Sequence, residues 1–176
     1  MKPMPLRVQL ILVAVSYAAV LATAAVLVLA RYLLYVSHPQ DVVASGGMYA
    51  AGDWMLGIFI GCMLLVPTFL LALVIRNSED LYTRYSKVLL GLSVTAPICL
   101  GMFSIPAVNQ GTMFLGWICL DRMLGSPVVI VGLVFSRLLA RFDRAKRLTF
   151  YALLIEVLTL AFMAALFVFL ARTHSA

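Results

Sequence analysis

A chain of 176 residues with 64% hydrophobic and only 11% charged residues, and a mean hydropathy of +1.09, cannot cover a water-facing surface; soluble domains carry roughly 25% charged residues. Composition therefore argues against soluble enzymes, nucleic-acid-binding domains and disulfide scaffolds, and for an all-α, polytopic membrane bundle. The net charge of +6 implies no nucleic-acid partner, because the basic residues stand in short runs between apolar stretches, where membrane topology places them.

Val8 to Ala30 is an uncharged run of 23 residues. As a helix it reaches roughly 35 Å, enough to cross the hydrocarbon core. Lys2, Arg7 and the Ala22-Thr23-Ala24 triplet imitate a signal peptide, but the apolar run continues past that triplet, so an uncleaved anchor is expected. Trp54 to Ile75 and Val88 to Val108 give a second and a third crossing, and Leu148 to Ala171 gives a last one whose single charge is Glu156. Between Met113 and Ala140 the apolar run is interrupted by Asp121 and Arg122. With Asp121 as the N-cap, residues 122–140 form a fourth of five spans.

An N-terminus in the cytoplasm places ten basic residues inside (Lys2, Arg7, Arg76, Arg84, Lys87, Arg137, Arg141, Arg144, Lys146 and Arg147) and three outside (Arg31, Arg122 and Arg172). That asymmetry orients the chain with its C-terminus outside. The alternative of four spans returns the C-terminus to the cytoplasm and moves the Arg137 to Arg147 cluster out.

The loops entering the second and fourth spans share residues in the same order: Gly46-Gly47-Met48-Tyr49 with Gly111-Thr112-Met113-Phe114, and Asp53-Trp54-Met55-Leu56-Gly57 with Asp121-Arg122-Met123-Leu124-Gly125. The inner loops pair Tyr82-Thr83-Arg84-Tyr85-Ser86-Lys87 with Phe142-Asp143-Arg144-Ala145-Lys146-Arg147. These matches suggest a parallel hairpin repeat, units 46–108 and 111–171, within one membrane domain; chance agreement in a low-diversity apolar chain stands beside it. Asp53 and Asp121 are expected to cap helix N-termini.

Helices in lipid pack through small and weakly polar residues. The spacing offers Ala14, Ala18 and Ala22 on the first span, Gly57 and Gly61 with Thr68 on the second, Ser93, Pro97, Gly101 and Ser104 on the third, and Thr149, Ala152, Glu156 and Thr159 on the last. Glu156 falls near the midplane, where a carboxyl normally faces the bundle interior. One reading makes it a proton- or cation-handling group drawing on the Ser93 and Ser104 side. The other makes it a neutral acid bonded to Thr149, Thr159 or a neighbouring backbone, holding the bundle together.

At the outer edge Arg31, His38, Asp41, Asp53, Asp121 and Arg122 are candidates for a polar vestibule, though spacing cannot bring them together. Asn109 to Leu120 is too apolar for water and too short to cross, so it is expected to lie flat in the interface, anchored by Trp117, or to dip back as a re-entrant lid. Cys62, Cys99 and Cys119 form no C-x-x-C pair, and although methionines follow them closely, no metal site is expected. The chain has no H-E-x-x-H, G-x-S-x-G, P-loop or Rossmann pattern, and its two histidines, His38 and His174, lie outside the core, which argues against haem. No catalytic residue and no cofactor is expected.

The sequence thus points to a non-catalytic binding or accessory subunit of a bacterial-type inner membrane, partnered by the lipid bilayer and by other membrane subunits or copies of itself. The alternatives are a small transporter or channel protomer with Glu156 as its protonatable site, and a lipid-modifying enzyme in which Asp53, Asp121 and His38 meet. The candidate binding or proton-handling residues are Glu156, Ser93, Ser104, Asp53, Asp121, Arg122 and Arg31.

Overall fold

The computed structural model describes residues 5–38, 40, 45–105 and 113–174. These residues are all-helical, with no strand. In chain order the helices are α1 (Leu6–Ser37), α2 (Gly46–Ile75), α3 (Glu79–Phe103), α4 (Met113–Leu124), α5 (Ser126–Leu139) and α6 (Asp143–His174). Four helices, α1, α2, α3 and α6, are long and apolar enough to cross a membrane, and α4 with α5 makes a fifth if the two are one crossing. Most of these helices outrun the apolar stretches that announce them: α3 starts at Glu79 rather than Val88, and α6 at Asp143 rather than Leu148. A backbone entering lipid must already satisfy its own amides, so the helix starts in the polar flank.

The chain divides into two compact units, Met1–Val74 and Ile75–Ala176. In the first, the face of α1 carrying Val13, Tyr17, Ala24 and Arg31 reaches α2: the Tyr17 and Thr68 hydroxyls lie 2.8 Å apart, and Arg31 bonds Asp53 at 2.7 Å. Thr68 gives its own proton to the Leu64 carbonyl at 2.7 Å, which leaves Tyr17 as the donor of the pair. Ala14, Ala18 and Ala22 are exposed, so they are not the face α1 turns to α2 within this unit. Gly57 is exposed too, and a Cβ there would meet nothing within 4 Å. The GxxxG spacing on α2 therefore makes no close helix contact at Gly57.

In the second unit α6 packs mainly on α3, with α5 also against α6 and α4 against α3. The buried line of α6, Ala145, Thr149, Ala152, Glu156 and Thr159, repeats every three or four residues, the interval that keeps one side of a helix against its neighbour. On α3 the buried positions are Tyr82, Thr83, Ser86, Ser93 and Ala96, whereas Pro97, Gly101 and Ser104 face outward. Only Ser93 of the expected α3 stripe is thus a packing residue.

The greatest departure from expectation is the region after residue 112. The helix neither starts at Arg122 nor is capped by Asp121: α4 begins at Met113 and the break falls at Gly125, where α4 and α5 bend by 49°. Pro127, in the first turn of α5, has no N–H for the Met123 carbonyl and crowds the preceding turn, so a continuous helix cannot pass. Gly125 fits the corner because an added Cβ would lie 3.1 Å from the Asp121 carbonyl oxygen, to which the Gly125 amide already donates at 2.9 Å. Residues 113–120, expected to lie flat or re-enter, form the body of α4. Asn109 to Thr112, and with them Gly111-Thr112 of the proposed repeat, lie outside the described residues.

Contacts along α3 give the register of this broken helix. Tyr82, near the start of α3, donates its hydroxyl to the Ser136 carbonyl near the end of α5, and Tyr85 meets the Ser136 hydroxyl at 2.9 Å. Further up α3, Arg122 near the end of α4 bonds Thr95 at 2.9 Å. The 13 residues from Tyr82 to Thr95 rise about 20 Å, and α4 and α5 follow one another along that rise, as a single bent crossing would.

The repeat's matched pentapeptides differ locally. Asp53 to Gly57 lies inside an unbroken helix, whereas Asp121 to Gly125 ends one. Ser126-Pro127, which has no counterpart after Gly57, makes the difference.

Candidate functional site

The second unit contains a buried ion pair. Glu156, with 0% of its side chain exposed, accepts from an Arg122 NH2 group whose side chain is 14% exposed. Arg122 stands in the last turn of α4, and the bend at Gly125 leaves its guanidinium among α3, α5 and α6. Its Nε donates to the Thr95 hydroxyl at 2.9 Å, NH2 also donates to the Leu92 carbonyl at 3.0 Å, and NH1 approaches the Ser126 hydroxyl at 3.4 Å. The planar fork of arginine suits this task, since it presents several donors at fixed angles to separate acceptors.

Two features of α3 prepare the seat. Thr95 gives its own proton to the Leu92 carbonyl at 2.6 Å, which turns its oxygen lone pairs toward Arg122. Pro97 removes the amide that would bond the Ser93 carbonyl and loosens the helix ladder beside Leu92. Glu156 is less well served. Its Oε2 is buried and has no hydrogen-bond partner among the described residues.

These positions revise the expectation for Glu156. Neither Thr149 nor Thr159 reaches it, because each hydroxyl bonds a carbonyl of its own helix, Ala145 at 2.9 Å and Ile155 at 2.8 Å. Ser93 likewise bonds Leu89 at 3.0 Å, and Ser104, exposed at the end of α3, bonds Leu100 at 2.9 Å. Third-helix polarity comes instead from Thr95 and the Leu92 carbonyl. Counting Arg122 among the outer basic residues is corrected as well: it sits within the bundle, paired with Glu156, because the helix break falls four residues later than Asp121.

The first unit has its own polar cluster, where the end of α1 meets the start of α2. Arg31 bonds Asp53 Oδ1 at 2.7 Å and the Tyr49 carbonyl at 2.9 Å, and its guanidinium carbon lies 5.1 and 4.9 Å from the Tyr35 and Tyr49 ring centres. Tyr35 donates to Asp53 Oδ2. Asp53 is therefore a partner inside α2, seven residues past its start, and not the cap expected of it. Gly52 makes room, since a Cβ there would lie 2.8 Å from an Arg31 nitrogen. With Arg31 and Asp53 25% and 44% exposed, this pair is half in solvent and contributes little stability, on the order of 0 to 1 kcal/mol.

Of the expected vestibule, the structure joins Arg31 with Asp53. His38 meets Ser37 at 2.8 Å, Asp121 is exposed on α4, Arg122 is taken up by Glu156, and Asp41 lies outside the described residues. Cys99 and Cys119 are in side-chain contact between α3 and α4, and among the described residues no three metal-ligating side chains converge.

Composition hid Thr95, Ser126 and Gly52 because a lone hydroxyl or glycine in an apolar run has no signature. A better clue existed for the pair itself. Arg122 and Glu156 are opposite charges, each interrupting an apolar run that has to cross lipid, and such charges seek each other. Comparison with protein-family models, with curated proteins and with solved structures gives no match for this chain.

Proposed function

We propose that this chain is a non-catalytic membrane subunit, a small binding or accessory protein acting through helix packing in a bacterial-type inner membrane with its N-terminus in the cytoplasm. The observation that carries this reading is the exposure of Ala14, Ala18, Ala22 and Gly57, small-residue positions of the kind that let helices approach closely, on two helices that do not use them to pack against each other. The closed state of the ion pair supports it. Arg122 is engaged by groups of three helices, as expected of a structural lock.

A photo-crosslinking residue at position 18 or 57, in native membranes, should give a discrete adduct with another membrane protein or a second copy. With the probe at position 18, Ala22→Leu should remove that adduct and leave thermal stability unchanged, because the position is exposed. Adducts with lipid alone at both positions would sink the reading.

A second reading, a transporter or channel protomer with Glu156 as its protonatable site, is favoured by one observation, the unpartnered Oε2. Its mark is pH dependence of binding or flux between about pH 5 and 8 that Glu156→Gln abolishes, because an amide cannot titrate. Activity that keeps the same pH profile in that variant removes it.

A further inference from the structure

Where α5 turns into α6, a cleft of about 240 Å³ is lined by Arg137, Asp143, Lys146, Arg147 and Phe150. Three cations thus face one carboxylate. Among the described residues none of the three cations makes an ion pair, not even Arg147 with Asp143 one helical turn before it. Arg137 instead lies over the Phe150 ring, 4.7 Å from its centre. Nearby, Arg141 bonds Asn77 at 3.1 Å, which ties the α2–α3 turn to the α5–α6 turn and gathers both basic connections at one end of this unit. Three cations at a cleft with one carboxylate, none of them in an ion pair, leave a net positive charge whose repulsion an anion relieves.

The chemistry below the cleft selects among anions. Phe150 is its apolar floor, and the same side of α6 continues through Leu154, Val157 and Leu158, which are 43%, 45% and 60% exposed. A basic mouth above an apolar stripe at helical spacing fits a molecule that is anionic at one end and hydrocarbon at the other. A free phosphate would use only the mouth.

We propose that this cleft binds the phosphate of an anionic phospholipid, with Arg137, Lys146 and Arg147 holding the headgroup and an acyl chain lying along Phe150, Leu154 and Leu158. The site is separate from the Arg122–Glu156 pair and from the partner-binding role proposed above. Asp143 works against it, which gives a variant whose effect has the opposite sign to damage.

The test is retention of phosphatidylglycerol against phosphatidylcholine by the full chain in mixed micelles, read by native mass spectrometry. Each juxtamembrane charge contributes about fivefold in affinity. Arg137→Gln/Lys146→Gln/Arg147→Gln should therefore lose roughly a hundredfold, and Asp143→Asn should bind severalfold tighter. The double variant Arg84→Gln/Lys87→Gln, at the same end of the unit but outside the cleft lining, should keep the preference. An unchanged preference in the triple variant, equal loss in the double variant outside the lining, or no gain in Asp143→Asn would each overturn the proposal. Displacement of the lipid by excess inorganic phosphate, with phosphate then retained, would make the free anion the ligand and overturn the lipid assignment.

Discussion

Removing Arg122 isolates what the buried pair does. In Arg122→Met the side chain keeps its approximate length, but Glu156, with none of its side chain exposed, loses its counter-charge. An uncompensated buried charge costs about 3 to 5 kcal/mol, unless the group takes up a proton. Protonating a carboxyl of ordinary acidity costs about 3.7 kcal/mol at pH 7 and about 1 kcal/mol at pH 5. Proton uptake therefore caps the penalty near 3 to 4 kcal/mol at neutrality, to which lost bonds at Thr95 and Leu92 add about 1 kcal/mol. The sign follows from linkage: a folded state that holds the extra proton keeps its stability below about pH 4.3 and loses it as the pH rises. Relative to the wild type at the same pH, the variant should thus recover more than about 2 kcal/mol between pH 7 and pH 5. The double variant Arg122→Met/Glu156→Leu removes both charges and should lie within about 2 kcal/mol of the wild type. Reversible unfolding in mixed micelles at the two pH values measures all three. A single variant that costs under about 1 kcal/mol at pH 7, or a penalty that does not change with pH, would refute the reasoning.

Three further outcomes follow from named contacts. Gly52→Val pushes a Cβ into the space 2.8 Å from an Arg31 nitrogen, so a double-mutant cycle between Arg31 and Asp53 in that background should lose its coupling, against up to about 1 kcal/mol natively. Tyr82→Phe removes a hydroxyl that donates to the Ser136 carbonyl from a fully buried position and should cost about 1 to 3 kcal/mol by equilibrium unfolding, whereas Tyr151→Phe at an exposed site should cost almost nothing. With the native cysteines replaced, a membrane-impermeant thiol reagent applied from outside should label Ser45→Cys and spare Ser78→Cys; the reverse pattern would invert the orientation read from the basic residues.

Much of this molecule was legible one residue at a time. Runs of twenty or more residues with at most one charge have one inexpensive conformation in lipid, the helix that bonds its own amides, so the crossings of α1, α2, α3 and α6 follow from counting. The buried line of α6 was legible for a similar reason, since a single carboxyl flanked by threonines and alanine on one side of a crossing helix has to turn inward. What required the tertiary structure was which group answers which. Arg122 was visible, but its assignment turned on a break displaced from Asp121 to Gly125, and that displacement depends on Pro127 being unable to continue the α4 ladder. Once the break moves, a residue expected at the membrane edge becomes the counter-charge of Glu156, and the hydroxyls expected around that carboxyl are found bonding their own helices. Pairing of this kind is set by distances between helices far apart in sequence. Apolar periodicity specifies the side a helix buries and says nothing of the neighbour it meets.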